Sequence, residues 1–543
     1  MQADYVIVGA GSAGCVLANR LTEDPATRVV LIEAGGRDWN PLIHIPAGFM
    51  KLLDHPSLTW GFKAEADPGT NGRAIPYPRG RVLGGSSSIN GLIYIRGQPE
   101  DFDHWAQLGN RGWGWDDVLP YFKRAEDWQG EASELHGNGG FLTTSPMSER
   151  PAACQAIIEA AQEVGLEYRS DVNNLPPGAG DSIGWCQQTR GGRRRASAAR
   201  TYLRPASRRP NLQVVTKALA HRVLFDGKRA VGLECRRGGA TVRVSAHKEV
   251  ILSAGPLQSP KLLELSGVGR PEILARYGVG VVHALPGVGE NLSDHPNVRL
   301  TFECSQPITI NDVLQRPLTK VKEGLRYALF GTGLLSICSA TAHIVMRSRP
   351  GETQPDLKLQ LQPFSGKDRY ARRPQDGLDP HPGFTVGVMA LRPRSRGYVH
   401  LASADPLAFP TIDPNYLADA SDADVLLVGI KAVRALAKTP ALSKFVVRET
   451  RPGPEVRTDE QIRDYIRATT QTTWHVVGSC KMGNDADAVV DAELRVRGVD
   501  GLRVIDSSVF PTIPSSNTNA ATIALGEKGA DLVLNSWRNA AAA

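Results

Sequence analysis

Tyr5-Val6-Ile7-Val8-Gly9-Ala10-Gly11-Ser12-Ala13-Gly14 is the stretch on which the fold turns. Its four leading residues, apolar and rich in β-branched side chains, suit a buried parallel strand, and they run straight into a GxGxxG sequence. Cys15, Leu17, Ala18 and Leu21 come next with spacing compatible with a helix. A second apolar run, Val29-Val30-Leu31-Ile32, ends at Glu33, nineteen residues after Gly14. Each part has a mechanical role. Gly9 permits the tight turn, Gly11 lets the backbone approach a pyrophosphate, and Gly14 allows close packing of helix on strand. The helix N-terminus, at Ser12 and Ala13, offers unpaired N–H groups to phosphate. Glu33, followed by Ala34, can accept hydrogen bonds from an adenosine ribose. Glycine-rich loops are often only turns, but strand, glycines, helix, strand and acid in register predict a dinucleotide site. The motif alone does not separate FAD from NAD.

Outward from this unit, 543 residues with 41% hydrophobic and 22% charged content describe a globular chain large enough for more than one domain. The 63 basic residues exceed the 56 acidic ones by seven, and the excess is spread along the chain, a poor basis for binding nucleic acid. The run Arg193-Arg194-Arg195 could suggest an anionic partner and reads better as a solvated loop. Seven scattered cysteines without a CxxC pair fit neither a disulfide framework nor a zinc site, and they suit a reducing compartment. No cluster of histidines and acids has ligand spacing, so no metal is expected. The first strand starts at Asp4 and leaves no room for a leader, and no apolar run approaches membrane-spanning length. The expectation is a cytoplasmic protein, at most peripheral to the inner membrane.

A second glycine cluster lies between Arg79 and Gly97, RGRVLGGSSSINGLIYIRG. Gly84-Gly85-Ser86-Ser87-Ser88 carry no bulky side chain that would hold a flat ligand off the backbone. Flanked by Val82-Leu83 and Leu92-Ile93-Tyr94-Ile95, the loop is expected to be ordered around a ligand.

Here the sequence resembles the glucose-methanol-choline (GMC) oxidoreductase family. The cluster is similar to that family's first signature. Gly255-Pro256-Leu257-Gln258-Ser259-Pro260, leading to Leu265-Ser266-Gly267-Val268-Gly269, resembles the second. Val288 to His295, Trp474 to Gly483 and Leu502 to Thr522 resemble further blocks, closest to bacterial alcohol and choline dehydrogenase-like members. The resemblance implies an α/β protein with a Rossmann-like, discontinuous FAD-binding domain (residues 1–150, 190–295 and 470–543). An α+β substrate domain with an antiparallel sheet would take residues 151–189 and 296–469. Strand patterns at Leu212-Gln213-Val214-Val215 and Glu249-Val250-Ile251-Leu252, and helical spacing over 421–437, agree with part of this. The cofactor positions it implies, beyond those above, are Val82, Gly84, Gly85, Ser86, Asn90, Gly91, Leu92 and Ile93 in the cluster. Ala220, Ala254 and Gly255 join them from the middle section, and Trp474, Asp506, Ser507, Asn519 and Thr522 from near the C-terminus.

Alcohol oxidation by a flavin needs a base for the hydroxyl proton, a group that holds the oxygen, and a C–H bond aimed at flavin N5. A lone histidine is more often structural, but Trp474-His475-Val476-Val477-Gly478 is similar to the family's active-site block, which makes His475 the implied base. Pro514-Ser515-Ser516-Asn517-Thr518-Asn519 likewise makes Asn517 the implied partner facing the substrate oxygen. Such a string also suits a helix N-cap, and Ala520 to Leu534 look helical. The implied reaction is oxidation of a neutral primary alcohol, aliphatic or aromatic, to the aldehyde, with hydride transfer to N5. Oxygen, a quinone or another acceptor would then take the electrons.

Two departures narrow this reading. Where some members attach FAD covalently through a histidine, the matching position is Ile89, so the FAD is expected to be non-covalent. Matching residues 331–348 onto the region where choline-oxidising relatives carry an acid places Thr341 there, with no carboxylate near, which argues against choline. The alternatives are an FAD-containing hydroxynitrile lyase, a choline dehydrogenase, a nicotinamide-dependent dehydrogenase and a non-catalytic FAD-binding protein. The presence of both His475 and Asn517 ranks the last of these lowest.

Overall fold

The computed structural model describes residues 1–368 and 377–542. Among these residues a seven-stranded sheet and an eight-stranded sheet organise the molecule. The seven-stranded sheet grows from the opening unit. Gln2–Val8 lies between Val29–Ile32 and Ala240–Leu252, all parallel, and Leu212–Val215 adds to the outer side of Val29–Ile32. Leu502–Val504 joins the end of Ala240–Leu252, also parallel. The remaining strands, Arg229–Arg237 and Ala218–Asp226, turn antiparallel. The central strands are apolar on both faces because helices and further chain cover both: Tyr5 to Val8, Val29 to Ile32 and Val250 to Leu252 are all buried.

The Ser12–Leu21 helix packs beside the last helix, Thr518–Ala542. Gly526 permits the approach, since a Cβ there would lie 3.1 Å from Val16 Cβ. Buried Glu527 fastens the pair, accepting from Arg20 at 2.7 Å, Arg124 at 2.8 Å and the Tyr202 hydroxyl at 2.7 Å.

In the eight-stranded sheet, Pro296–Cys304, Gly383–Ala390, Leu357–Gln362 and Ala342–Met346 form an antiparallel series. Alternation along these strands divides the two faces. Val298, Leu300, Leu357, Leu359, Leu361, Val386 and Val388 are buried against Leu426, Ile430 and Val433 of the Ala420–Leu436 helix. Asn297, Arg299, Gln360, Gln362 and Thr385 point the other way, into a cavity between the sheets. The strands and helices read from the sequence are all present; the helix expected over 421–437 runs Ala420–Leu436.

Candidate active site

The cavity has a volume of about 1300 Å³ and runs from Gly9 and Glu33 to His475 and Asn517. One end is framed by residues just past the C-terminal ends of the parallel strands: Gly9 after Val8, Glu33 after Ile32, Ser253 to Gly255 after Leu252, and Asp506 after Val504. This is where open α/β sheets bind ligands. Gly9 has φ +101°, and a Cβ on Gly14 would lie 1.9 Å from the Gly9 carbonyl oxygen, so both glycines are sterically required. Gly85 also comes close to the loop, its hypothetical Cβ 2.7 Å from Gly11 Cα. The two glycine clusters therefore meet.

Of the implied cofactor positions, Gly9, Gly11, Ser12, Ala13, Glu33, Ala34, Gly85, Ser86, Asn90, Gly91, Leu92 and Ile93 line the cavity. So do Ala220, Ala254, Gly255, Trp474, Asp506, Ser507, Asn519 and Thr522. Three do not. Gly14 serves helix packing, as its spacing suggests. Val82 and Gly84 stand behind the wall: Val82 is buried in a cluster with Ile43, and a Cβ on Gly84 would strike Ser88 Oγ. Glu33 has more than a ribose to hold. Its two oxygens accept from Ala10 N at 2.9 Å and Gly35 N at 2.7 Å, closing the glycine loop, and burial raises its pKa to about 7. Each oxygen keeps a second lone pair for a ligand hydroxyl.

The cavity suits FAD on structural grounds. Its glycine floor admits no side chain at Gly9, and two helix N-termini, at Ser12 and Thr518, border it. Ser12 Oγ ties them together by donating to Asn519 Oδ1 at 2.8 Å. Arg79 on the wall donates from Nη1 to Trp474 O at 2.8 Å and keeps its buried Nε and Nη2 without a hydrogen-bond partner among the described residues.

The other end is built around His475. Trp474 has φ +64°, a left-handed backbone that is costly for a bulky residue and marks a strained turn. The turn is held by the segment before the Pro296–Cys304 strand. Asp294 Oδ1 accepts from His475 N at 2.9 Å, its Oδ2 accepts from the Thr472 and Tyr416 hydroxyls, and Thr473 Oγ1 donates to His295 O at 2.9 Å.

The His475 ring lies in a chain of hydrogen bonds whose direction can be worked out from its ends. The Leu391 carbonyl can only accept, so His295 Nε2, 3.0 Å away, carries a hydrogen. Burial depresses the His295 pKa to about 3, leaving its Nδ1 bare as an acceptor. His475 Nδ1, 2.9 Å from it, must then donate. Burial first, then His295, Lys358 and Arg79, hold the His475 pKa well below its ordinary value. The ring is neutral and its Nε2 bare, and that atom accepts from Asn517 Nδ2 at 2.9 Å. Asn517 Oδ1 in turn accepts from Lys358 Nζ at 3.3 Å. Lys358 is itself buried, with a pKa lowered to about 8 by desolvation.

Sequence alone brings His475 and Asn517 forward and gives no role to His295, Asp294, Lys358, Asn297, Gln360 or Gln362. Thr341 is fully buried with its hydroxyl 2.7 Å from Cys154 Sγ and does not line the cavity, whereas Ser339, two residues earlier, does, and neither is a carboxylate. The run Arg193 to Arg195 corrects the sequence reading. Arg194 is exposed as a solvated loop requires, but Arg195 is buried, donating to Ile43 O at 2.8 Å and Asn90 O at 2.7 Å.

Comparison with known proteins gives the family of the chain. Residues 3–297 and 393–526 match the N- and C-terminal models described as GMC oxidoreductase. The chain is 40% identical over 545 residues to the mitochondrial choline dehydrogenase of Homo sapiens, covering 97% of this chain and 89% of that protein. It is 38% identical over 537 residues to the alcohol dehydrogenase [acceptor] of Pseudomonas putida, covering 98% and 95%. Among solved structures, pyridoxine 4-oxidase from Mesorbium loti superposes with a TM-score of 0.86 at 30% identity, covering 97% of this chain and 98% of that one. The chain belongs to the GMC oxidoreductase family. It is an FAD-dependent oxidoreductase acting on CH–OH groups.

Proposed function

We propose that the protein oxidises a neutral primary alcohol, aliphatic or aromatic, to the aldehyde, with His475 as base and Asn517 as the group that holds the oxygen. The observation that carries this is the oriented chain from Lys358 to Leu391, which leaves His475 Nε2 bare at the cavity. A flavin, when bound, supplies the hydride acceptor. The substrate hydroxyl gives its proton to His475 Nε2, while Asn517 Nδ2–H donates to the oxygen as it becomes an alkoxide. The protonated ring still donates from Nδ1 to His295, and the one change that proton uptake requires is that Asn517 Nδ2–H turn from His475 Nε2 to the substrate oxygen. Lys358, behind the amide, favours negative charge on the oxygen through Asn517.

Lys358 and Arg79 act on His475 with positive charge, and of the carboxylates on the facing wall, Asp368 and Asp379, the second is paired with Arg451. The positive charge at His475 is what argues against choline. Ile89, an alkyl side chain on the cavity wall, offers no atom for a covalent bond, and the FAD is read as non-covalent. The two sheets support a partition into an FAD-binding domain of 1–150, 190–295 and 470–543 and a substrate domain of 151–189 and 296–469. The assigned roles of the glycine-loop and C-terminal residues at the cofactor belong to the same proposal.

The test is an anaerobic screen of alcohols for bleaching of the bound flavin, followed by reoxidation with oxygen or a quinone analogue. Primary aliphatic or aromatic alcohols are expected to bleach it and choline is not, and acid precipitation should release the yellow colour. Bleaching by choline alone would overturn the substrate assignment. Absence of bleaching by any alcohol would favour a hydroxynitrile lyase.

Lys358→Met gives a further expectation with a defined sign. Lys358 opposes protonation of His475, so its removal raises the His475 pKa, and the acid limb of the rate of flavin reduction moves to higher pH. Any alkaline limb arising from deprotonation of Lys358, near pH 8, should vanish. The plateau rate should fall by roughly 10- to 100-fold, as for loss of a hydrogen bond to a charged group. Unchanged limbs would remove Lys358 from the mechanism.

A further inference from the structure

The Pro317–Phe330 helix faces the wrong way for a soluble protein. Not one of its residues is buried. Leu318 is 85% exposed, Val321 61%, Leu325 56% and Leu329 60%. At 100° per residue these four fall within an arc of about 80°, one continuous stripe. The polar side chains point inward. Tyr327 Oη donates to Arg193 O at 2.5 Å, Glu323 accepts from Leu334 N at 2.9 Å, and Arg326 pairs with Glu149 at 3.1 Å. Phe330, 71% exposed, extends the apolar surface at the helix end. Single exposed leucines are ordinary, but a row of them on a helix anchored by its polar side marks a contact surface.

We propose that this face docks on an anionic bilayer surface. The surroundings select that occupant by charge. Lys322 lies on the helix beside the stripe and Arg316 at its N-terminal end, neither of them buried, and Arg193 and Arg194 are exposed at its C-terminal end. Arg190, Arg193, Arg194 and Arg200 all act on the Tyr327 hydroxyl, which places four guanidinium groups together there. The acids nearby, Glu323 and Glu149, are engaged inward with backbone N–H groups and Arg326. An apolar stripe flanked by basic residues lies in the plane of the lipid headgroups, its leucines entering the acyl boundary. No helix among the described residues is long and apolar enough to cross a membrane, so the contact is peripheral. It also frames the cavity: Leu314 and Gln315 just before the helix, Lys320 on it and Leu335 just after it all line the cavity wall. An alcohol or electron acceptor dissolved in the bilayer would thus stand next to the site. The docking surface does not depend on which alcohol is oxidised.

Vesicle flotation tests this on the FAD-loaded protein. Vesicles with roughly one-third phosphatidylglycerol in phosphatidylcholine should carry the protein upward, about tenfold more than phosphatidylcholine alone, and added salt should weaken the binding. The Leu325→Glu/Leu329→Glu double variant should stay at the bottom, and Lys322→Glu should lose much of the preference for anionic vesicles. Both should keep wild-type activity on a water-soluble alcohol with a dye acceptor, since neither touches the site. Failure of the wild type to float, or equal flotation of the double variant, would overturn the proposal. So would a dimer in light scattering that the double variant dissociates while vesicles bind nothing, for the face would then join two copies of the chain.

Discussion

His475→Ala is expected to slow anaerobic flavin reduction by alcohol about 100- to 10,000-fold, the range over which a positioned general base acts. Flavin content should not change, because the glycine loops that frame the other end of the cavity are untouched. The physical reason is specific. A substrate hydroxyl is a very weak acid, and His475 Nε2, which carries no hydrogen, is the ring nitrogen left to take its proton once Asn517 turns to the oxygen. Alanine leaves no acceptor in its place, and His295 cannot substitute, since its Nδ1 faces the vanished ring and its Nε2 is held by Leu391 O. Single-turnover bleaching in a stopped-flow instrument is the measurement. A rate within a few-fold of wild type would remove His475 from the chemistry.

Asn517→Ala should cost about 100- to 1,000-fold in the same rate, as does loss of one oxyanion-hole donor elsewhere. It has a second consequence that His475→Ala lacks. Asn517 Oδ1 is the hydrogen-bond acceptor of Lys358 Nζ, and its loss strands a buried ammonium. Lower thermal stability should therefore accompany the lower rate. Asn517→Asp separates the two effects. A carboxylate can pair with Lys358 but cannot donate to an alkoxide, so stability should return while the rate stays low. Recovery of both in Asn517→Asp would mean that the amide only holds Lys358, and that it takes no part in holding the oxygen.

What can be read in the sequence is local. The opening βαβ unit lies within 33 residues, and its glycines declare themselves because no other residue fits where Gly9 and Gly14 pass backbone against backbone. His475 and Asn517 sit in short blocks of family character. By contrast, Lys358 owes its place to the register of the Leu357–Gln362 strand and to the loop carrying Asn517, 159 residues further along the chain. Nothing around Lys358 in the sequence signals that. His295 stands within a family-like block, but its part in fixing the His475 tautomer depends on Leu391, which folding brings to its other nitrogen. Thr341 is matched without gaps, and such a match does not tell that Ser339, two positions earlier, is the residue that reaches the cavity. Arg195 looks like its two neighbours in sequence and is buried because it satisfies the carbonyls of the second glycine cluster.

The bond between Ser12 and Asn519, with that between Arg20 and Glu527, spans 507 residues in each case. The phosphate loop leaves the ribosome 507 residues ahead of the helix positions that close it. Until synthesis has passed Glu527, the emerging polypeptide holds half a nucleotide site, with Tyr202 and Arg124 also lacking their buried partner. Closure of the phosphate loop thereby waits on the synthesis of Asn519 and Glu527, and a polypeptide ended before them lacks the partners of Ser12 and Arg20.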